Sequence, residues 1–247
     1  MGSKFFIEDV KDKLGYKAIG RKVVRAGDVM KATIIYDNTA FRKDLQADWG
    51  FSALIEAKGK RILFDTGRSG SILLSNMNKL EIIPKEIDEV FISHLHFDHT
   101  GGLSAFLDQN NDVKVWVPRS FRGVRNAKKV IEIKKSIKLY EGIYSTGELE
   151  KIEQSLCIET QKGIVIIAGC SHPRMEHIIG AASEFGKVYG IIGGLHGNRP
   201  ESLKNFDLIC STHCTQYKQE IKFFYPERYI EGGVGKVIDI KDAASGS

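Results

Sequence analysis

A run of six residues, His-Leu-His-Phe-Asp-His at positions 94–99, limits how this chain can fold. It follows a short apolar segment and precedes a glycine pair at 101–102. Three imidazoles and one carboxylate so close together add little to a folded core, whereas a metal site requires them. This mixture of ligands suits a borderline cation such as Zn²⁺. The run therefore predicts a metal site at the end of a strand.

The spacing within the run predicts how its side chains are shared. Side chains two apart on an extended strand point to the same side, so His94 and His96 should face one point. Asp98 and His99 follow after the chain has begun to turn, so they can reach a neighbouring point. One pair can then serve one metal ion and the other pair a second ion about 3.5–4 Å away.

The remaining histidines extend this prediction. Of the seven histidines only His177 falls inside a predicted helix, and the others lie at predicted strand ends or in the turns that follow. Strand ends are where α/β folds collect functional groups. We therefore expect His172 and His213 to supply the distant ligands that complete the sites.

The predicted elements repeat one order, a hairpin followed by a turn and a helix. The two hairpin turns fall at 58–60 and 161–163,. Two similar halves facing one another, with two β-sheets inside and helices outside, satisfy the layer rules for packed domains. Strands are predicted at 31–36, 51–57, 61–64, 90–93, 113–117, 155–160, 164–168, 188–192 and 207–211, and helices at 69–80, 101–107 and 174–185.

Composition sets broader limits. The 247 residues, 42% hydrophobic and 27% charged, predict one globular domain over 1–247, with a disordered tail at 243–247,. The net charge of +5 is too small to indicate nucleic-acid binding by itself,. Four cysteines are too few for a disulfide framework, and neither a membrane span nor a secretion signal is evident,. We therefore expect a cytoplasmic protein with reduced thiols.

These motifs resemble those of the metallo-β-lactamase superfamily. The run at 94–99 with its glycine pair is the most specific element, and Phe-Asp-Thr-Gly at 64–67 matches the family's early Asp-x-Gly turn. His172 matches the third motif of the family and His213 its final histidine. The resemblance covers nearly the whole chain, and it implies an α/β fold of the four-layered αββα sandwich type with two similar halves.

The resemblance also implies a ligand set. Zn²⁺ is the favoured metal, with one or two ions per chain, and Mn²⁺, Fe²⁺ or Mg²⁺ are the alternatives. By resemblance, one metal would be held by His94, His96 and His172 and the second by Asp98, His99 and His213, with Asp65 supporting the site from behind.

One departure from the family pattern concerns the carboxylate that usually bridges both metals. The family places this Asp at a strand end between its third and final motifs, where this chain has Gly-Gly-Leu-His at 193–196. Three alternatives follow for the second metal. It is bound weakly, it is absent, or it is held by His196. In a fourth, His196 acts as an acid or contacts the substrate.

A narrower resemblance concerns the reaction. The segments 169–172, 193–196, 212–215 and 233–236 look like those of a branch of metal-dependent hydrolases related to a pterin synthase. The first hypothesis is hydrolysis of an ester, phosphoester or related bond in a small anionic substrate, with Asp98 orienting the attacking water. The alternatives are a transferase like the synthase, a nucleic-acid hydrolase, and a metal-dependent binding or sensor protein without turnover.

Three further features have competing interpretations. Cys170 and Cys214 neighbour proposed ligands, and we favour small packed residues over soft metal ligands or reactive thiols,. Lys236 ends a glycine-rich turn that lacks the phosphate-loop spacing, although it remains a candidate contact for an anion,. The basic segment 119–138 is favoured as a solvated face over a surface that attracts nucleic acid or anionic substrates,.

Overall fold

The strands pair into a seven-stranded sheet and a six-stranded sheet in this computed structural model, which describes residues 29–241. In chain order the strands are β1 Val29–Tyr36, β2 Ser52–Ala57, β3 Lys60–Phe64, β4 Glu89–Phe91, β5 Lys114–Pro118, β6 Lys129–Ile133, β7 Ile137–Tyr140, β8 Ile143–Ser145, β9 Leu156–Thr160, β10 Gly163–Ala168, β11 Val188–Gly194, β12 Leu208–Thr212 and β13 Val237–Lys241.

The first sheet has the order β13-β1-β2-β3-β4-β5-β6, and the second has the order β12-β11-β10-β9-β8-β7. Strands β3 to β6 run parallel to one another, as do β10 to β12. The helices are α1 Gly70–Lys79, α2 Phe97–Thr100, α3 Leu103–Gln109, α4 Met175–Ser183 and α5 Lys218–Phe224, with short 3₁₀ helices at Pro84–Glu86 and Pro200–Leu203.

Central strands that are apolar on both faces produce the layers. On β2, Ile55 belongs to the core between the two sheets, whereas its neighbour Leu54 packs among residues of α1 and α3. On β10, Ile167 belongs to the core between the sheets and Ile166 packs among residues of α4 and α5. Because successive strand side chains point to opposite faces, each sheet is covered on both sides. The predicted four-layered αββα sandwich is confirmed.

The two halves share the predicted order of elements. In the first half the antiparallel hairpin β2–β3 is followed by α1 and then by β4, which is parallel to β3. In the second half the hairpin β9–β10 is followed by α4 and then by β11, which is parallel to β10. Parallel neighbours end at the same edge of a sheet, so the turns after β3, β4, β10, β11 and β12 are brought together.

The basic segment 119–138 contains β6 and the first residues of β7, which are the edge strands of the two sheets. Three of its basic side chains form ion pairs, Lys128 with Asp112 at 2.7 Å, Arg122 with Glu132 at 3.5 Å, and Lys138 with Glu141. This arrangement agrees with the solvated face favoured from the sequence. The lysine and arginine side chains of the segment are exposed, namely Arg119, Arg122, Arg125, Lys128, Lys129, Lys134, Lys135 and Lys138.

None of the helices within 29–241 is long and apolar enough to cross a bilayer. The predicted disordered tail at 243–247 lies outside the described residues.

Candidate metal centre

Three histidine side chains meet at the edge where the two sheets face each other. His94 and His96 follow β4, and His172 follows β10 in the opposite sheet. The His96 Nδ1 atom lies 3.1 Å from His94 Nε2 and 3.2 Å from His172 Nε2. Nitrogen ligands about 2.0–2.1 Å from a tetrahedral zinc ion are themselves about 3.3 Å apart. The spacing of these three nitrogen atoms therefore fits one metal ion.

A second group lies beside the first. Asp98 and His99 are on the short helix α2, and His213 follows β12. Asp98 Oδ2 lies 3.1 Å from His213 Nε2 and 3.8 Å from His99 Nε2. The His213 Nε2 atom is buried, and no hydrogen bond to it is formed by residues 29–241. A buried nitrogen without a hydrogen bond, beside a carboxylate and an imidazole, fits a second metal ion.

Asp65 holds both groups from behind. Its carboxylate accepts a hydrogen bond from His99 Nδ1 at 2.7 Å and from the Ser93 hydroxyl at 2.7 Å. Because Ser93 uses its only hydroxyl proton there, its oxygen accepts from His94 Nδ1 at 2.8 Å. Both histidines therefore carry their proton on Nδ1, which leaves Nε2 free to face the site. Fixing the tautomer in this way is usual for metal-binding histidines.

Asn38 fixes the tautomer of His213 in the same way. Its side-chain oxygen lies 2.9 Å from His213 Nδ1, so that nitrogen donates and Nε2 is left as the ligand atom. The neighbouring Asp37 accepts the His213 backbone N–H at 2.8 Å. Neither residue carries a sequence signal that connects it to the distant strand end after β12.

The protonation of the site suits metal binding. Burial lowers the pKa of His94 and that of His99 to about 3, so both imidazoles are neutral at physiological pH,. Burial raises the pKa of Asp65 to about 7. Burial also raises the pKa of Asp98, but the contact with His213 and the nearby His99 lower it more, so Asp98 is a carboxylate.

Comparison with known proteins agrees with this geometry. The chain is 29% identical, over 83% of its length, to the 7,8-dihydropterin-6-methyl-4-(beta-D-ribofuranosyl)-aminobenzene-5'-phosphate synthase of Methanocaldococcus jannaschii, 95% of which is covered. A crystal structure of a metal-dependent hydrolase of the beta-lactamase superfamily shares the fold, with a TM-score of 0.68 and 21% identity. The match covers 86% of this chain and 100% of that one.

A family profile matches part of the chain. The profile described as "Metallo-beta-lactamase superfamily" matches residues 50–133, which include the run at 94–99. This part of the chain is therefore similar to that superfamily. A shorter similarity links the chain to ribonuclease Z of Bacillus cereus, with 27% identity over 48% of this chain and 38% of the ribonuclease.

The position of Cys170 fits the metal-ligand interpretation better than the packed role favoured from the sequence. Its Sγ atom lies 3.1 Å from His99 Nε2, at the centre of the site rather than behind it. Among residues 29–241, His94, Cys170 and His172 have ligand atoms within 4.8 Å of one another, and so do His99, Cys170 and His213. The hydrogen bond with Cys214 and burial raise the pKa of Cys170, so without a cation the group is a thiol.

The place of the usual superfamily carboxylate is closed by glycines. At Gly193, where φ is +134°, a Cβ atom would overlap the carbonyl oxygen of Ala168 on the neighbouring strand. At Gly194 it would overlap the carbonyl oxygen of Gly169 and lie 2.8 Å from Cys214 Sγ. The end of β11 therefore passes so close to the turn after β10 that no side chain fits between them.

His196 lies at the rim of the site. Its imidazole is exposed, and the ring centre is 4.9 Å from that of His172. It belongs to none of the metal-ligand groups found within the described part of the chain. His96 and Asp98 belong to none of these groups either, so the role of His196 stays a prediction.

Lys236 follows the glycine-rich turn at 232–235. Its ammonium is 4.5 Å from the centre of the Phe41 ring. The glycine turn before it packs closely on this edge, with Gly232 against Thr212 and Gly233 against Phe41. The turn therefore lies next to the segment that carries His213, and an anion contact of Lys236 stays a prediction.

Glu153 is a candidate site residue that the sequence did not indicate. This fully buried carboxylate accepts backbone N–H groups from four consecutive residues, with distances of 2.9–3.1 Å. Burial raises its pKa, but the nearby His94 and the backbone N–H groups lower it more, so it is charged. Glu153 thereby fixes the turn that carries Cys170 and His172. The four donors are Gly169, Cys170, Ser171 and His172.

Proposed function

We propose that this protein is a metal-dependent hydrolase that cleaves an ester, phosphoester or related bond of a small anionic molecule. The observation that carries the proposal is the convergence of imidazole nitrogens from both sheets, 3.1–3.2 Å apart, beside a buried nitrogen that no described residue hydrogen bonds. Divalent metals bound in such a site act as Lewis acids and make water nucleophilic near neutral pH.

The donor set favours Zn²⁺, because neutral imidazoles dominate it and carboxylate is in the minority. Mn²⁺ and Fe²⁺ accept similar ligands, whereas Mg²⁺ prefers oxygen. The residues proposed to hold the first metal are His94, His96 and His172, and those proposed for the second are Asp98, His99 and His213.

Two residues are proposed to handle protons. Asp98 is partly exposed and charged, so it can orient the attacking water and accept its proton,. His196 stands at the rim next to His172, where its imidazole can donate a proton to the leaving group or contact the substrate. Asp98 lies beside His99 and His213, whereas His196 lies beside His172, so the two groups neighbour different proposed metal positions.

The mouth of the site has an apolar side. Trp49 is 51% exposed, and its ring is 5.1 Å from that of His213. Phe97 is 67% exposed and precedes Asp98. The chain next to Trp49 contacts this segment directly, because the Phe51 N–H donates to the Asp98 carbonyl. A substrate with a flat apolar portion and an anionic group would match both surfaces.

Metal content and hydrolysis test the proposal. The purified protein should contain about two metal ions per chain, and His96→Ala should lose metal. Hydrolysis of a panel of esters, phosphoesters and lactams should fall by more than about 100-fold in this variant. Removal of a metal ligand reduces activity more than removal of a residue that only hydrogen bonds to a ligand. His196→Ala should keep its metal and lose activity.

The matched control is His177→Ala. His177 is exposed on α4 and pairs with Glu150 at 2.7 Å, away from the cluster. It should leave both metal content and turnover unchanged. Wild-type protein that contains no metal after growth with zinc would contradict the proposal. So would an equal loss of metal and activity in His96→Ala and His177→Ala. Bound metal without turnover on any member of the panel would favour a binding or sensor protein.

A second candidate is a transferase, and the similarity to the Methanocaldococcus jannaschii synthase favours it. The two reactions use the same leaving group but different acceptors. A dihydropterin methyl diphosphate supplied alone and with a ribofuranosyl-aminobenzene phosphate separates them. Free hydroxymethyl-dihydropterin as the product in both mixtures supports hydrolysis, whereas a coupled product in the second mixture supports transfer.

A further inference from the structure

Cys170 is shared between the two proposed metal positions. One set of mutually close ligand atoms joins it to His94 and His172, and another joins it to His99 and His213. Among the described residues, no other side chain belongs both to a set with His172 and to a set with His213. A ligand common to both positions is placed to bridge two metal ions.

An independent observation points to a ligand at the same place. The His213 Nε2 atom, in a side chain with 0% exposure, has no hydrogen-bond partner within residues 29–241. It belongs to the set that includes Cys170. A buried nitrogen held with its lone pair inward is costly unless something binds it.

No carboxylate can take the bridging place from β11. A side chain at Gly193 or Gly194 would overlap backbone carbonyl oxygens of the turn after β10. That same turn carries Cys170, whose Cα would lie 3.1 Å from a Cβ at Gly194. The close approach of the two chain segments thus excludes a carboxylate at the end of β11 and leaves Cys170 as the candidate bridging ligand.

The turn that carries Cys170 is held rigidly. The Cys170 N–H donates to Glu153 Oε1 at 2.9 Å, and the Ser171 hydroxyl donates to the Gly194 carbonyl at 2.7 Å. On its other side, a Cβ at Gly169 would overlap the Ser93 hydroxyl, so this turn touches the residue before His94. A thiol fixed from three directions does not need to move to coordinate a metal ion.

We propose that the thiolate of Cys170 bridges the two metal ions, in place of the carboxylate that the superfamily usually supplies from the end of β11. When metal binds, the S–H bond breaks, the sulfur forms bonds to the metals and the proton passes to solvent. A coordinating thiol is deprotonated by the metal itself, and thiolate is a preferred ligand of Zn²⁺. This inference rests on the proposed metal centre.

Cobalt substitution tests the inference without measuring turnover. Wild type loaded with Co²⁺ should bind about two ions per chain and show a near-ultraviolet sulfur-to-cobalt charge-transfer band. Cys170→Ser should lose the band and part of the cobalt. Cys170→Asp should lose the band and keep about two ions, because a carboxylate can bridge from the same position. Circular dichroism establishes that each variant is folded.

Cys214→Ser is the matched control, because Cys214 Sγ lies 3.9 Å from the Cys170 carbonyl oxygen and is the other thiol near the site. This variant should keep the band. A band that survives in Cys170→Ser, or that disappears in Cys214→Ser alone, would overturn the assignment to Cys170. Two bound cobalt ions without any band in wild type would overturn thiolate ligation and leave the proposed metal centre standing. Wild type that binds no cobalt would overturn both.

Discussion

Glu153 is a buried charge whose partners are all backbone groups. Its two carboxylate oxygens accept N–H groups from the whole turn between Gly169 and His172. Without a carboxylate, these buried donors would lack acceptors, which costs more than the bonds themselves contribute. The side chain thus positions Cys170 and His172 although it does not face the metal positions.

Glu153→Gln should therefore loosen the metal site. An amide presents one acceptor oxygen and one NH₂ group, and the NH₂ would face backbone N–H groups. We expect unfolding to require about 1–3 kcal/mol less free energy, and metal affinity to fall by about 10–100-fold. Urea unfolding and metal titration measure the two effects.

Glu150→Gln is the control for this change, because Glu150 lies at the surface, where it pairs with Arg174 and His177. It should change stability by less than about 0.5 kcal/mol. Equal behaviour of the two glutamine variants would show that the Glu153 contacts do not position the turn.

At the scale of single residues, the sequence predicted side chains that carry local motifs. His94, His96, Asp98 and His99 are close in sequence, so their grouping could be inferred from spacing alone. Glu153 and Asn38 could not be inferred, because each reaches the site by packing between distant segments. The packed role favoured for Cys170 does not account for its position, because its sulfur lies beside His99.

At the scale of elements, the turn after β10 and the end of β11 touch through backbone atoms. Gly193 has a φ of +134°, a conformation that other residues rarely adopt, and its missing side chain leaves room for Ala168,. Gly180 on α4 is different, because a Cβ there meets nothing within 4 Å.

Gly193→Ala and Gly180→Ala should consequently have opposite effects on stability. We expect Gly193→Ala to destabilise the fold by at least about 3 kcal/mol, through strain and backbone overlap. Gly180→Ala should stabilise it by about 0.5–1 kcal/mol, since alanine favours helix. Thermal unfolding of the two variants compares them. A tolerated alanine at 193 would show that space exists for a side chain at the end of β11.

Elements with a clear apolar pattern were predicted within a few residues of their observed bounds. The predicted strand at 90–93 is shorter, at Glu89–Phe91, because the chain turns at Ser93 to bond with Asp65. The edge strands β6 and β7 were missed since most of their side chains are exposed and alternate weakly. Helix α5 was missed because a single buried side chain, Ile221, gives no apolar stripe.

At the scale of the whole molecule, the site is built from both sheets. The first sheet and its turns contribute the proposed ligands of 94–99, and the second contributes the proposed ligands Cys170, His172 and His213. The core between the sheets keeps these two groups in register. The repeated hairpin-and-helix order allowed the facing halves to be predicted, but not which atoms would meet.

Burial of histidines also sets how the metal-free fold responds to acid. Burial lowers the pKa of His94, His99 and His172, so below about pH 6.5 the unfolded chain binds protons that the folded chain does not,. Burial raises the pKa of Asp65 and Asp37, which opposes this effect because the folded chain then binds more protons. The two strongly shifted histidines, His94 and His99, outweigh the strongly shifted Asp65 by one proton.

The stability of the metal-free protein should thus fall as pH decreases from about 6.5 to about 4, by about 1.4 kcal/mol per pH unit for each net proton. Urea unfolding after chelation, across this range, measures the slope. Stability that is constant or rises toward pH 4 would show that the carboxyls dominate.

The contact between the glycine pair of β11 and the turn carrying Cys170 limits how this site can evolve. A lineage with this backbone cannot acquire a carboxylate at 193 or 194 by one substitution, because the first side-chain atom already overlaps a carbonyl oxygen. Nor can it lose Cys170 without losing the ligand proposed to be common to both metal positions. The glycines and the cysteine should therefore be inherited as a unit, and they should separate only in descendants whose β11 has moved.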